Sequence, residues 1–300
     1  MKDFINKYLV IGLSLIAFTS CEPYEDYLTD FDYSIVYFPY QQPVRTVVLD
    51  SEQKTNVGVV LGGKRENKDR VVTQFEINES LLNETSWELL PEEYYTLGHT
   101  SEMVVEPGTF QGLVEINFTD AFYDDPKAIT NHYALPLLIT QSTADSVLTG
   151  STENGVLAKN YMIPVFKFIH YLEGNWYHHG VDTSFDPQGD TLVSNVYSHK
   201  DMVKNDVWIL NTLAKNKVST NGIGSTNNGR LQINISSDNV VEVEPFEGSP
   251  ITEVTNNLSE YNANTNELYL DYNYSDTDGI KHHVMDTLTF RNLDMELELW

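Results

Sequence analysis

From about residue 30 to its end the chain alternates apolar and polar residues with a period of two, and no helical stripe of useful length interrupts that pattern. Successive side chains of a strand point to opposite faces, so such segments read as strands with one buried face. In the first half these are "SIVYFPY" (34–40), "TNVGVVLGG" (55–63) and "RVVTQFEIN" (70–78). "SEMVVEPGTFQGLVEINFT" (101–119) reads as a hairpin turning near Pro107 and Gly108. "HYALPLLIT" (132–140) carries Pro136 and is therefore an edge strand or a bulged one, and "YMIPVFKFIHYL" (161–172) closes this half. "ESLLNE" (79–84) reads as a single helical turn. About seven short strands at this spacing predict an immunoglobulin-like β-sandwich over residues 31–170.

Residues 171–300 predict a second antiparallel β-domain. Leu231, Ile233 and Ile235 share a face before "SSDN", and Val241 and Val243 answer them after it. Leu268, Leu270, Tyr272 and Tyr274 alternate up to "SDTDG", which hands over to "HHVMDTLTFRNL" (282–293). Sequential hairpins of this kind fit a lipocalin-like meander closing into a barrel, or a second sandwich. "STNGIGSTNNGR" (219–230) reads as a flexible loop, because it lacks the phosphate-loop pattern and no helix follows. The fold class is all-β. A chain with one cysteine builds no intrachain disulfide, so apolar cores must hold both domains.

That cysteine, Cys21, follows Lys2, Lys7 and an apolar run from Tyr8 to Phe18, the parts of a secretory signal over residues 1–20. The run is shorter than the roughly 20 apolar residues a bilayer span needs. Thr19-Ser20-Cys21 resembles the end of a bacterial lipobox, with Phe18 departing from the usual Leu or Val. The resemblance implies that Cys21 is the lipidation site, followed by a tether over residues 21–30, and that lipid is the chain's only contact with the outer membrane. Glu22, Glu25 and Asp26 resemble the acidic export signal of surface lipoproteins, which implies a face toward the cell exterior. Without residues 1–20 the chain keeps 16 basic against 43 acidic residues, a net charge of −27, which argues against nucleic acid as a partner.

Three segments, "LLPEEYYTL" (89–97), "EPGTFQGLVEINFT" (106–119) and "HYALPLLIT" (132–140), resemble the immunoglobulin-like domain of unknown function of Bacteroidetes surface lipoproteins. That domain is found also at the N-terminus of some glycan-cleaving lipoproteins. "LEGNW" (172–176) and "MDTLTFRN" (285–292) resemble the companion C-terminal β-domain, also of unknown function. Relatives of this kind belong to polysaccharide-utilisation systems. The resemblance implies binding of an extracellular polysaccharide or oligosaccharide, with an outer-membrane transporter complex as a further partner. It carries over no catalytic residues, since the enzymes concerned keep their active site in a separate barrel domain that this chain lacks. The expectation is a non-catalytic protein with no cofactor. The alternatives are a glycan hydrolase whose carboxylate pair is hidden among the acids, and a structural accessory subunit of the transporter.

The sharpest local pattern is "HHGVD" at 178–182 against "HHVMD" at 282–286. In strands His178 and Asp182 share a face, as do His282 and Asp286. If the domain closes, its first and last strands become neighbours, and the four residues are candidate zinc ligands; the alternative is ordinary strand histidines. "DYNYSDTDG" (271–279) imitates a calcium loop but lacks the Gly and Glu that pattern requires, so it reads as a hairpin turn. For glycan binding the candidates are Tyr177, outward if Trp176 plugs the barrel end, and Tyr269, whose face carries Asp271 and Asn273. Trp208 joins them for its ring, its direction left open by apolar neighbours on both sides.

Overall fold

The computed structural model describes residues 33–49, 51, 53–236 and 240–294. The signal segment, Cys21 and the tether lie outside the described residues. The protein is all-β, in two domains.

The first domain contains β1 (Ile35–Tyr37), β2 (Val44–Val48), β3 (Lys54–Gly62), β4 (Val71–Ile77), β5 (Glu88–Leu89), β6 (Tyr95–Leu97) and β7 (Glu102–Val105). It continues with β8 (Gln111–Phe118), β9 (Tyr133–Ala134), β10 (Leu137–Ser142), β11 (Ser146–Val147), β12 (Tyr161–Met162) and β13 (Val165–Ile169). One layer has the order β11-β1-β3-β8-β6, and facing it are two smaller sheets, β12-β10-β4-β7 and β2-β13-β9-β5. The strands outnumber the sequence-based expectation because prolines split two of them and because β2 and the short β5, β6 and β11 were not anticipated. Pro136 separates β9 from β10 and Pro164 separates β12 from β13, and each break passes the chain from one small sheet to the other. Proline lacks the N–H a ladder needs, so it falls where pairing changes partners. The carbonyls of both prolines still accept, from Asn78 and Leu135 respectively.

The expected hairpin at residues 101–119 is instead an arch. β7 pairs with β4 while β8 pairs with β3 and β6, so the turn at Pro107 and Gly108 carries the chain between layers. Met103 and Val105 then face Val114 and Ile116 across the core, all four fully buried. The helical turn is a 3-10 helix, Glu79–Leu82, started by the Asn78 side chain, which accepts the Ser80 N–H. The aromatic centre of the domain packs edge to face, with Phe166 5.3 Å from Phe118 and Phe168 5.9 Å from Phe122.

The second domain contains β14 (Gly174–Phe185), β15 (Thr191–Tyr197), β16 (Asp206–Ala214), β17 (Lys217–Ser219) and β18 (Leu231–Ile235). It ends with β19 (Val240–Pro245), β20 (Thr252–Asn256), β21 (Ser259–Asn262), β22 (Glu267–Ser275) and β23 (Lys281–Asn292). Neighbours pair antiparallel in chain order from β14 and β16 through to β22 and β23, and β23 pairs back onto β14. Eight strands thus close a meander barrel, the closed form of the two anticipated. β15 and β20 are additions, each sharing an edge of a barrel strand with the next element of the chain. Closure leaves one interior, and Leu231, Ile233, Ile235, Val241, Val243, Leu268, Leu270 and Leu288 form its apolar part. The segment 219–230, expected to be flexible, is tucked into the barrel: Ile223 is fully buried and Thr220 donates to the Gly222 carbonyl.

Two separate apolar cores meet at the junction, where Tyr171 packs against both. His170 is 2% exposed; its N–H bonds Thr212 Oγ1 at 2.8 Å and its Nδ1 accepts the Leu172 N–H. Burial pushes this imidazole down to about 4. The folded value lies below the unfolded value of about 6.5, so the neutral ring stabilises the fold above that pH. The contribution, about 3 kcal/mol at most, is lost as pH falls from the unfolded value through the folded one. Urea unfolding of the wild type and of His170→Asn at pH 7 and pH 4 checks this. The wild type is expected to lose more stability than the variant over that range; parallel losses would contradict the account.

Candidate functional site

The two pentads lie side by side, because barrel closure makes β14 and β23 antiparallel neighbours. The register sets Gly180 opposite Asp286, Asp182 opposite Val284 and Ser184 opposite His282. On the inner face each histidine therefore meets, diagonally, the carboxylate of the other strand. His178 Nε2 is 2.8 Å from Asp286 Oδ1, and His282 Nδ1 is 2.7 Å from Asp182 Oδ1. Gly180 makes the first pair fit: a Cβ there would stand 2.7 Å from Asp286 Oδ1 and 2.3 Å from the Met285 carbonyl.

Asp286 is fully buried and accepts three donors. Besides His178 these are Tyr197 Oη at 2.5 Å and Tyr272 Oη at 3.0 Å, and Tyr272 in turn accepts the Gly224 N–H at 2.9 Å. His178 is fixed from its faces as well, stacked 3.8 Å from Trp208 with Tyr197 5.0 Å away. Asp182 accepts a longer bond from Tyr274 Oη at 3.4 Å, and the Tyr274 ring stacks on His282 at 4.5 Å. Burial first, and then the charge of the nearby aspartates, raises the Tyr197, Tyr272 and Tyr274 hydroxyls, which keeps all three as donors.

The candidate metal site is corrected by this geometry. His178, Asp182, His282 and Asp286 do come together in the barrel, but as two separate imidazole–carboxylate pairs. Among the described residues no group of three or more His, Cys, Asp or Glu side chains is placed to hold a metal ion. The calcium-like stretch is a turn: Asp276 Oδ1 accepts the N–H groups of Asp278 and Ile280. The turn after β14 repeats it, with Asp186 Oδ1 accepting from Gln188 and Asp190.

These two turns stand at one end of the barrel and, with β20, enclose an open groove of about 810 Å³. Phe185, Gln188, Glu253, Asn273, Lys281 and His282 line it. His282 forms its inner wall: Nδ1 holds Asp182, and Nε2 lies 3.5 Å from Asp276 Oδ2. Glu253 sits in the irregular stretch of β20 with a left-handed φ of 52°, and its Oε2 accepts from Ser275 at 2.9 Å. Such a conformation is uncommon for a residue with a Cβ and marks a position the surroundings hold in place.

The outer face of β22 runs from this groove down the barrel. Tyr269, Asp271 and Asn273 alternate outward, against buried Leu268, Leu270, Tyr272 and Tyr274. Asn273 donates to Thr255 and Asn257, and Asp271 accepts from Asn257 and from His283 Nε2 at 2.9 Å. Tyr177 also faces outward, with the Arg291 guanidinium 5.6 Å from its ring centre. Tyr177 and Tyr269 flank β23, opposite Thr289 and Thr287 respectively, so they stand two strand spacings apart with an offset of two residues along the strand, roughly 12 Å in all. Trp208 must be withdrawn from this face. It is 2% exposed, pairs in register with Trp176 and stacks on His178, so no external ligand reaches its ring.

Tyr197, Phe185, Glu253 and Lys281 were missed by sequence reasoning. Tyr272 and Tyr274 were assigned the inner parity; the unused signal was that buried phenols need acceptors, which points to an aspartate inside.

Together these features define an all-β, two-domain protein, a sandwich followed by a meander barrel with a polar interior network. One solved structure agrees with that fold. A family model described as a "-like, N-terminal domain" matches residues 31–146. A protein of unknown function from Bacteroides ovatus, in a crystal structure, is 23% identical with a TM-score of 0.76, covering 89% of this chain and 97% of its own. A second protein of unknown function from Bacteroides ovatus shows 13% identity and a TM-score of 0.42, covering 86% and 94%. A multidomain protein including DUF1735 from the same organism shows 11% identity and a TM-score of 0.41, with the same coverage. No curated protein matches the chain.

Proposed function

We propose that the chain is a non-catalytic, lipid-anchored protein of the outer membrane that faces the cell exterior and binds an extracellular glycan within a polysaccharide-utilisation system. The observation that carries the reading is the groove at the barrel mouth, continuous through Asn273 with the polar and aromatic outer face of β22. Sugars are held by flat rings beside fixed hydrogen-bonding groups, and the groove offers Phe185 among Gln188, Glu253, Asn273 and Lys281. Tyr269 lies four residues from Asn273, about 13 Å along the strand, which suits a ligand of several sugar units. The test is a glycan array probed with residues 22–300. Saturable binding without release of smaller sugars is expected, and absence of binding to every glycan would contradict the reading.

One observation favours the hydrolase alternative: the strained Glu253 faces the groove. On that reading the bound glycan is cleaved and Glu253→Gln abolishes cleavage. On the reading preferred here no reducing ends appear with either protein.

Anchoring has its own test. Cys21→Ala is expected to leave an unlipidated precursor or a soluble protein, because the thiol is the acylation point. Equal incorporation of labelled palmitate into wild type and variant would remove the anchor from the account.

A further inference from the structure

A second groove, of about 380 Å³, lies on the barrel where the segment 219–230 meets the turn that follows β19. Its lining includes Asn221, Asn227, Arg230, Phe246, Ser249 and Pro250. The turn is closed by the Ser249 N–H, which donates to the Phe246 carbonyl at 2.9 Å.

Arg230 is built into this wall. Its Nε donates to the Thr220 carbonyl at 3.0 Å and its Nη2 to Ser219 Oγ at 2.9 Å, and the guanidinium carbon stands 4.5 Å from the centre of the Phe246 ring. Ser219 and Thr220 are fully buried, so both acceptors are fixed. Those two bonds occupy one edge of the guanidinium and leave its outer pair of N–H groups, one on each Nη. Among the described residues Arg230 makes no ion pair. Glu247, the acid of the lining, is exposed and does not pair with it. The chain carries 44 acidic residues against 18 basic ones, so an arginine bonded only to neutral groups runs against its composition. Asp238 lies outside the described residues, beyond Ile235 at the other end of the β18–β19 hairpin. Ile235 is itself about 13 Å along the strand from Leu231, which stands at the groove end opposite Pro245.

The neighbouring side chains add donors. Asn221 spends Oδ1 on the Ile209 N–H, which leaves its amide N–H groups. Ser249 Oγ accepts the Arg230 backbone N–H at 2.9 Å, which leaves its O–H to donate. A wall with donors to spare suits a ligand group that only accepts, and a guanidinium fork matches two oxygens of one oxyanion. The volume is at the lower end for ligand pockets, which suits one small unit and not a run of them.

We propose that this groove is a second ligand site that takes the oxyanion of an acidic sugar, a carboxylate or a sulfate ester, on Arg230. That the ligand is a sugar rests on the proposed function; that it carries an oxyanion rests on the groove alone.

The probes are sodium glucuronate and glucose 6-sulfate, with glucose and sodium sulfate as comparisons, titrated into the full mature chain. The readout is the side-chain Nε–H resonance of Arg230, one of only five arginines in the sequence. At least one acidic sugar is expected to shift it saturably; the tighter of the two identifies carboxylate or sulfate ester as the preferred source. Glucose is expected to leave it unmoved, and sodium sulfate to bind several-fold more weakly than the preferred sugar. Arg230 also holds the fold of its segment, so the variants are placed at Gly248, which lines the groove with a φ of 78° and has nothing within 4 Å of a built Cβ. Asn and Asp tolerate that backbone best after glycine, and they differ from each other by one charge. Gly248→Asp should weaken binding about tenfold or more by calorimetry, and Gly248→Asn should stay close to wild type. Phe185→Ala in the barrel mouth should leave it unchanged, so failure here is separable from failure of that site. The proposal is overturned if neither acidic sugar gives a saturable shift, if glucose or sodium sulfate matches them, or if Gly248→Asp binds as Gly248→Asn does.

Discussion

Asp286→Ala is expected to destabilise the barrel by about 3–5 kcal/mol, the usual cost of leaving buried charge-assisted partners unpaired. The carboxylate is fully buried and takes bonds from His178, Tyr197 and Tyr272. Its removal leaves the buried His178 imidazole and Tyr272 phenol, with the half-buried Tyr197 phenol beside them, without their acceptor. Replacing both sides of the network, as in Asp286→Leu with His178→Leu and Tyr272→Phe, should recover part of the loss, since an apolar core of similar volume carries no unsatisfied groups. Urea unfolding followed by tryptophan fluorescence suits the test, because Trp208 stacks directly on His178. A midpoint for Asp286→Ala within error of wild type would contradict the assignment of this network as the barrel's polar core.

Trp176→Ala is expected to cost a similar amount, about 3–5 kcal/mol, typical of deleting a buried tryptophan. The ring is 1% exposed, its Nε1 donates to the Leu172 carbonyl at 2.9 Å, and it meets Phe290 edge to face at 5.3 Å. It closes the barrel end nearest the sandwich, so the variant also opens the junction. Trp176→Phe keeps most of the apolar surface and should cost less, mainly through the unpaired Leu172 carbonyl. Set against a usual domain stability of 5–15 kcal/mol, either large change brings the barrel close to unfolding. Equal stability of Trp176→Ala and wild type would show that the ring does not fill the barrel end.

Period-two reading placed most inward residues correctly, because a strand's parity is written into the residues themselves. Leu231, Ile233 and Ile235 against Val241 and Val243 needed no tertiary information, and neither did the shared faces of His178 with Asp182 and of His282 with Asp286. Partner choice was not written in the same way. The alternation of 101–119 is the same for a hairpin as for an arch, and only the pairing of β7 with β4 decides between them. Trp208, with Val207 and Ile209 on either side, had no legible direction; pairing with Trp176 across β14 and β16 sets it inward. Likewise, a metal cluster and two crossed imidazole–carboxylate pairs use the same four residues. The register that puts Gly180 opposite Asp286 separates these outcomes. The groove was the least legible feature, since two turns about 90 residues apart and the irregular part of β20 build it together.

Binding calorimetry of the mature chain against the best glycan from an array, run in parallel for wild type, Phe185→Ala and Tyr269→Ala, decides whether the barrel mouth and the outer face of β22 hold the ligand. Each variant is expected to weaken binding by about 1–3 kcal/mol, by analogy with bases stacked on aromatic rings, with thermal midpoints close to wild type. Wild-type affinity in both variants would contradict a glycan site running from the barrel mouth along β22.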